Sequence, residues 1–143
     1  MYLHAYALVC DAYTAWKRGD LDGFAACLAD DVEFSVPSSP RTYLGNGVGR
    51  TELRQRLSDF LDVYEVLEFN IVGAMLIATS SCDFRIRYRY RSRITRDEIE
   101  GTQRHIWSVR QGAITSFKVV HDADRLAAFF EMTAPKPSHR PTA

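Results

Sequence analysis

From Tyr2 to Arg18 the apolar positions Ala5, Leu8, Val9, Ala12, Ala15 and Trp16 recur at three- and four-residue intervals, with Asp11, Lys17 and Arg18 off that stripe. This spacing predicts an amphipathic helix with one buried face. Gly19 ends it, and Asp20 is placed to cap a short second helix carrying Leu21, Phe24, Ala25 and Leu28 ahead of the Asp30-Asp31 pair. Val32 to Val36 alternates as a strand does, and Pro37-Ser38-Ser39-Pro40 turns it into a loop that reaches Gly49. A third helix follows, with Leu53, Leu57, Phe60, Leu61 and Tyr64 on its apolar stripe and Glu52, Arg54, Arg56, Asp59 and Asp62 facing water.

Beyond this helix the period falls to two. Val66 to Val72 is predicted as a strand, Gly73 as a break, and Leu76 to Ile94 as one long strand. Thr95-Arg96-Asp97 has the composition of a hairpin turn into a strand from Glu98 to Arg110, and Gln111-Gly112 of a second turn into Ile114 to His121. Asp124 to Met132 is predicted as a short helical turn. Helices first and strands after, without βαβ alternation, indicate an α+β fold rather than a parallel α/β sheet. Residues 1–132 are expected to form one domain, and 133–143, with Pro135, Pro137 and Pro141, a flexible tail.

Composition narrows the class. Hydrophobic residues at 46% and aromatics at 12% are too many for a disordered chain. No apolar run approaches the roughly 18 residues that a membrane span requires. The N-terminus lacks the basic, apolar and small-residue segments of a secretory signal, so the expected compartment is cytoplasmic. Eighteen basic residues balance eighteen acidic ones, which argues against nucleic acid or a membrane surface as a general partner. Cys10, Cys27 and Cys82 are odd in number, unlike zinc ligands in spacing, and set in apolar surroundings, so they are expected to be reduced packing residues, and no metal is expected.

Three stretches carry a family likeness: AYTAWKRGDLDGFAACLADDVEFSVP from Ala12 to Pro37, LGNGVGRTELRQRLSDF from Leu44 to Phe60, and VRQGAITSFKVVHDADRLAAFF from Val109 to Phe130. On these the chain resembles the nuclear transport factor 2-like superfamily, in its SnoaL-like and ketosteroid-isomerase-like branches. The resemblance spans nearly the whole chain, and GDLDGFAACLADDVEF is its most specific part. It implies a cone-shaped α+β barrel in which three N-terminal helices pack in the concave face of a strongly curved, mainly antiparallel sheet, with a ligand between them. It also implies a homodimer through the outer sheet face. Activities in the superfamily run from isomerases, cyclases, dehydratases and epoxide hydrolases to binding domains, so the fold alone does not give the function.

Strand alternation puts Phe84, Ile86, Tyr88 and Tyr90 on one face and Arg85, Arg87, Arg89, Arg91 and Arg93 on the other; the aromatic face is expected inside. Gln103, His105, Trp107 and Val109 share a face of the next strand, and the resemblance turns it toward the pocket. The expected catalytic residues are His105, Asp122 and Tyr88, and the expected substrate contacts are Trp16, Tyr90, Gln103 and Trp107. A partly buried histidine beside a carboxylate is suited to acid or base work near neutral pH. Asp122 is matched, through HDADRL, to the acid/base aspartate of SnoaL-like cyclases. A one-residue slip of the hairpin would instead bring His121 inward. The structural alternative makes His105 a hydrogen-bonded core residue, Asp122 a helix cap, and the tyrosines and tryptophans core or rim aromatics.

Departures from the resemblance limit the chemistry. The tyrosine and aspartate slots of ketosteroid isomerases fall on Ala12 and Val36, and the second acid on His105; the Arg-x-Asp pair of the epoxide hydrolases falls on Gln103 and His105. What remains is a cyclase, dehydratase or isomerase type of acid/base reaction on a small apolar carbonyl compound, with no cofactor, or a non-catalytic binding or dimerisation module. Gly45-Asn46-Gly47-Val48-Gly49 lacks the spacing of a phosphate-binding loop and is expected to be a turn. The arginines, roughly 7 Å apart along the strand, are expected to be solvated and paired with Glu98 and Glu100 rather than to hold nucleic acid.

Overall fold

The computed structural model describes residues 2–36, 45–78, 80–120 and 123–133. The first helix, α1 (Tyr2–Lys17), ends at Gly19, whose φ of 73° is a left-handed conformation that suits glycine. Asp20 then caps α2 (Leu21–Ala26), its carboxylate accepting the Gly23 amide at 2.9 Å. Leu28, on the apolar stripe of α2 in sequence, instead begins strand β1 (Leu28–Ser35), because the chain leaves the helix at Cys27. The glycine-rich turn contains a two-residue strand, β2 (Gly47–Val48), which pairs with β1 and leads into α3 (Arg50–Val63). Tyr64 is already in a strand, one residue beyond that helix, and is not part of its stripe.

The long strands divide differently from the sequence pattern. β3 (Tyr64–Ala78) runs through Gly73 without ending, and the chain pairs back on itself from Ala78 to Ser81 in β4 (Ser81–Ser92). Gly73 marks a bulge, one of three register shifts between β3 and β4. Such insertions bend a strand and increase its twist, which is how this sheet acquires its curvature. β5 (Glu98–Arg110) and β6 (Ala113–Val120) complete the meander through a turn with positive φ at both Gln111 and Gly112. The sheet order is β2-β1-β6-β5-β4-β3. All pairs are antiparallel except β1 with β6, which is parallel.

The described residues thus form an α+β fold of four helices and a six-stranded curved, open sheet, with α3 following the first two strands instead of preceding the sheet. The last helix, α4 (Ala123–Thr133), is a full three turns. Thr133, expected to start the tail, is buried in it and shares a 2.9 Å hydrogen bond with the Tyr64 hydroxyl. Residues 134–143 lie outside the described residues, and among the described ones no helix is long and apolar enough to cross a membrane.

Inside and outside of the sheet follow the two-residue period. Phe84, Ile86, Tyr88 and Tyr90 are buried, and the arginines between them face out. Their counter-charges come from both neighbours: Glu98 of β5 meets Arg89 and Arg91, while Glu65 and Glu68 of β3 meet Arg91, Arg93 and Arg87. The share supplied by β3 was not expected from sequence, because it depends on the bulged β3 register. Gly47 tests how closely the sheet's other end is fitted. A Cβ there would lie 2.6 Å from Cζ of the buried Phe34 ring. Gly47→Ala is expected to cost about 1–3 kcal/mol, seen as a lower urea midpoint; an unchanged midpoint would mean that the ring yields.

Candidate functional site

A cavity of about 70 Å³ lies between the helices and the inner face of the sheet. That is on the order of five times the space one water requires. α1 contributes Tyr13 and Trp16, α3 contributes Leu57 and Phe60, α4 contributes Leu126 and Phe130, and the strands supply Phe69, Tyr90, Gln103, His105, Trp107, Phe117 and Val119. Phe24 of α2 and Val36, after β1, complete it. The lining is overwhelmingly apolar, so its few polar groups stand out.

Four of them are connected. The Trp107 indole N–H donates to the Tyr13 hydroxyl at 2.8 Å, and the Tyr13 oxygen lies 2.7 Å from His105 Nδ1. His105 Nε2 lies 2.8 Å from Gln103 Oε1, and the Tyr90 hydroxyl stands on the same wall of the cavity. A carbonyl oxygen can only accept, so Gln103 Oε1 as placed sets the direction: the neutral His105 carries its proton on Nε2 and leaves Nδ1 to accept. Tyr13 accepts from Trp107 and gives its own proton to Nδ1; His105 carries its proton on Nε2 and donates to the Gln103 carbonyl oxygen. The Tyr90 hydroxyl, buried on the same wall, keeps its phenolic hydrogen for a further acceptor. From the Trp107 indole to the Gln103 carbonyl oxygen each ring nitrogen and the Tyr13 hydroxyl has a partner. Removing the Tyr13 hydroxyl would strand the indole N–H and Nδ1, at about 1–3 kcal/mol each.

Burial holds His105 neutral, lowering its pKa from 6.5 to about 3 against a weak opposing pull from Asp83. Burial also raises the Tyr13 and Tyr90 hydroxyls well above the ordinary phenol value. The aromatic packing fixes the rings that carry these groups. Tyr13 stands edge-on to Trp107 at 5.4 Å, and Trp107 lies 4.2 Å from Phe117.

The structure brings Trp16, Tyr90, Gln103, His105 and Trp107 to the cavity wall. Tyr88, expected to be catalytic, is fully buried beside Tyr90, with ring centroids 4.9 Å apart, and does not line the cavity. The alternation of β4 turns both tyrosines inward, but only Tyr90 reaches the opening left by the helices. Asp122 and His121 lie outside the described residues. The ring nitrogens of His105 meet Tyr13 and Gln103, where a carboxylate partner had been expected. Sequence reasoning missed Tyr13. The isomerase tyrosine slot falls on Ala12, yet a tyrosine hydroxyl enters the cavity from the next position. The signal was present, since Tyr13 is four residues from Val9 and three from Trp16.

The family model described as the SnoaL-like domain matches residues 9–117. No curated protein matches the chain. Among solved structures, a nuclear transport factor 2-like protein of Burkholderia thailandensis E264 is 22% identical, with a TM-score of 0.74 over 90% of this chain and 96% of that one. A protein of Xanthomonas campestris pv. campestris, provisionally named a polyketide cyclase, is 19% identical, with a TM-score of 0.71 over 88% and 96%. A computationally designed binder of 17-OHP is 13% identical, with a TM-score of 0.70 over 85% and 95%. At these identities the likeness is one of fold.

The buried histidine makes a pH signature. Unfolded chains take up a proton on this residue as pH falls through 6.5, whereas the folded protein does so only near 3, so its contribution to stability is complete above 6.5 and lost progressively toward 3. Ring ¹⁵N spectra are expected to show the Nε2–H tautomer with no titration between pH 5 and 8. A midpoint near 6.5 would mean that the imidazole reaches water.

Proposed function

Because the chain belongs to the family of SnoaL-like domains, within the nuclear transport factor 2-like superfamily, we propose that its cavity binds a small, mostly apolar carbonyl compound and promotes proton transfer at the carbon beside the carbonyl, without a cofactor. One observation carries this reading: an otherwise apolar cavity has a polar wall in which Trp107, Tyr13, His105 and Gln103 are hydrogen-bonded to one another, while the buried Tyr90 hydroxyl stands beside them with its phenolic hydrogen available to a ligand. A preorganised donor in a dry site suits a carbonyl oxygen that gains negative charge as an enolate forms. The names of two similar structures, a provisional polyketide cyclase and a designed 17-OHP binder, also support a small organic ligand.

In this reading Tyr90 donates to the carbonyl oxygen. Ring contacts with Phe60 and Tyr88 position Tyr90, and His105 stays neutral throughout. The proton acceptor is Asp122: its carboxylate takes the proton from the α-carbon, the C–H electrons move into the carbonyl, and the oxygen charge is met by the Tyr90 hydroxyl. The non-catalytic alternative is favoured by a specific fact: the described lining residues include no carboxylate, and both nitrogens of His105 are already engaged.

Acetophenone in D₂O separates the two readings. The wild type is expected to bind it and to speed deuterium uptake into its methyl group. Asp122→Asn is expected to bind but not to exchange, and Tyr90→Phe to weaken both. Binding without exchange in the wild type would leave a ligand-binding module, and no binding at all would overturn both readings.

The reading includes a homodimer. β3 is an edge strand, and the distal half of it, with Val72, Met75, Leu76 and Ile77, is 40–65% exposed and carries no charge from Ile71 to Ala78. An apolar edge of this length is ordinarily covered. Sedimentation velocity is expected to give twice the 16.3 kDa chain mass, falling to one chain in the Met75→Glu, Ile77→Glu double variant. A wild type that stays monomeric at high micromolar concentration would exclude the dimer.

A further inference from the structure

Two tryptophans face the cavity, and their indole N–H groups are treated differently. Trp107, at the floor, donates to Tyr13. Trp16, one helical turn from Tyr13 on α1, has a buried Nε1 with no hydrogen-bond partner. An indole cannot accept in compensation, and an orphaned buried donor is uncommon enough in native proteins to call for a cause.

The position of Trp16 supplies one. Of the residues that line the cavity, Trp16 and Val36 are the half-buried pair and the others are buried, which puts the mouth between α1 and the end of β1. Trp16 is held there by Phe24 and Phe69, with ring centroids 6.3 and 6.1 Å away. Tyr90 sits elsewhere on the wall, edge-on to Phe60 at 5.4 Å. The cavity is therefore lined by Tyr90 on the strand side and, at its mouth, by the Trp16 ring, whose buried N–H has no hydrogen-bond partner.

We propose that the Trp16 indole N–H is a second ligand anchor, donating to an acceptor oxygen at the outer end of the molecule whose carbonyl is held at Tyr90. The preferred ligands are then apolar bodies with an oxygen acceptor at each end. This rests on the carbonyl-binding reading and adds a requirement for the far end of the ligand. The rival account, a water that satisfies Nε1, predicts no dependence on that far end.

The test compares acetophenone with its 3-methoxy and 4-methoxy derivatives by calorimetry, on the wild type and on Trp16→Phe, which keeps a ring in the wall and removes the N–H. At least one methoxy compound is expected to bind the wild type roughly three- to tenfold more tightly than acetophenone, the size of one added hydrogen bond. In Trp16→Phe that ratio is expected to fall to about one. The wild type alone gives a second readout, because the chain has only two tryptophans. Of its two indole N–H resonances, that of Trp16 is expected to move downfield with the methoxy ligand and not with acetophenone. A ratio near one in the wild type, or one that survives in Trp16→Phe, overturns the second anchor and leaves the carbonyl reading standing. Failure of acetophenone itself to bind overturns both.

Discussion

The arrangement of this protein depends on the need to satisfy four polar side chains inside an aromatic cavity. Trp107, Tyr13, His105 and Gln103 come from α1 and β5, and each is buried almost completely. An unpaired donor or acceptor at any of these positions would cost more than a typical hydrogen bond contributes. The chain closes only if α1 is seated so that Tyr13 reaches both Trp107 and His105. The helix position, the β5 face and the tautomer of the histidine are therefore set together, and the direction of the whole chain follows from the accept-only carbonyl oxygen of Gln103.

The same sheet meets the opposite requirement on its outer side. Alternation that turns Tyr88 and Tyr90 inward turns Arg87, Arg89 and Arg91 outward, where glutamates from both neighbouring strands lie among them. These pairs are exposed and screened, so each adds little to stability. Their effect is to let five arginines stand at two-residue intervals without mutual repulsion opening the sheet. Toward the far end of β3 the charges stop, and an apolar edge takes their place.

Much of this was legible in the sequence. The helical stripe of α1, the cap at Asp20 and the inward faces of β4 and β5 follow from periods of 3.6 and 2, which depend only on near neighbours. The strand bounds did not follow, because Gly73 has the same identity in a bulge as in a break, and nothing in the sequence between Ala78 and Ser81 signals a reversal as strongly as the glycine does. Tyr13 was hidden for another reason. Its partners are 92 and 94 residues away in the chain, and no local pattern shows which hydroxyl on a helical face will meet an indole that far off. Tyr88 and Tyr90 share a face, so only the packing of the helices decides which of them borders the cavity.

The parallel pairing of β1 with β6 has a kinetic side. β3 to β6 are joined by tight turns and can pair locally, whereas Leu28 and Ile114 must close a loop of more than 80 residues. Contacts of such separation are slow to form. Tyr13 and Trp16 are joined to β1 through the short α2, so the first helix and the first strand arrive on the meander as one piece. A meander without that piece has an open aromatic trough and His105 without its Tyr13 donor. The polar chain and the enclosed cavity therefore come into being in the same step that joins the two ends of the fold.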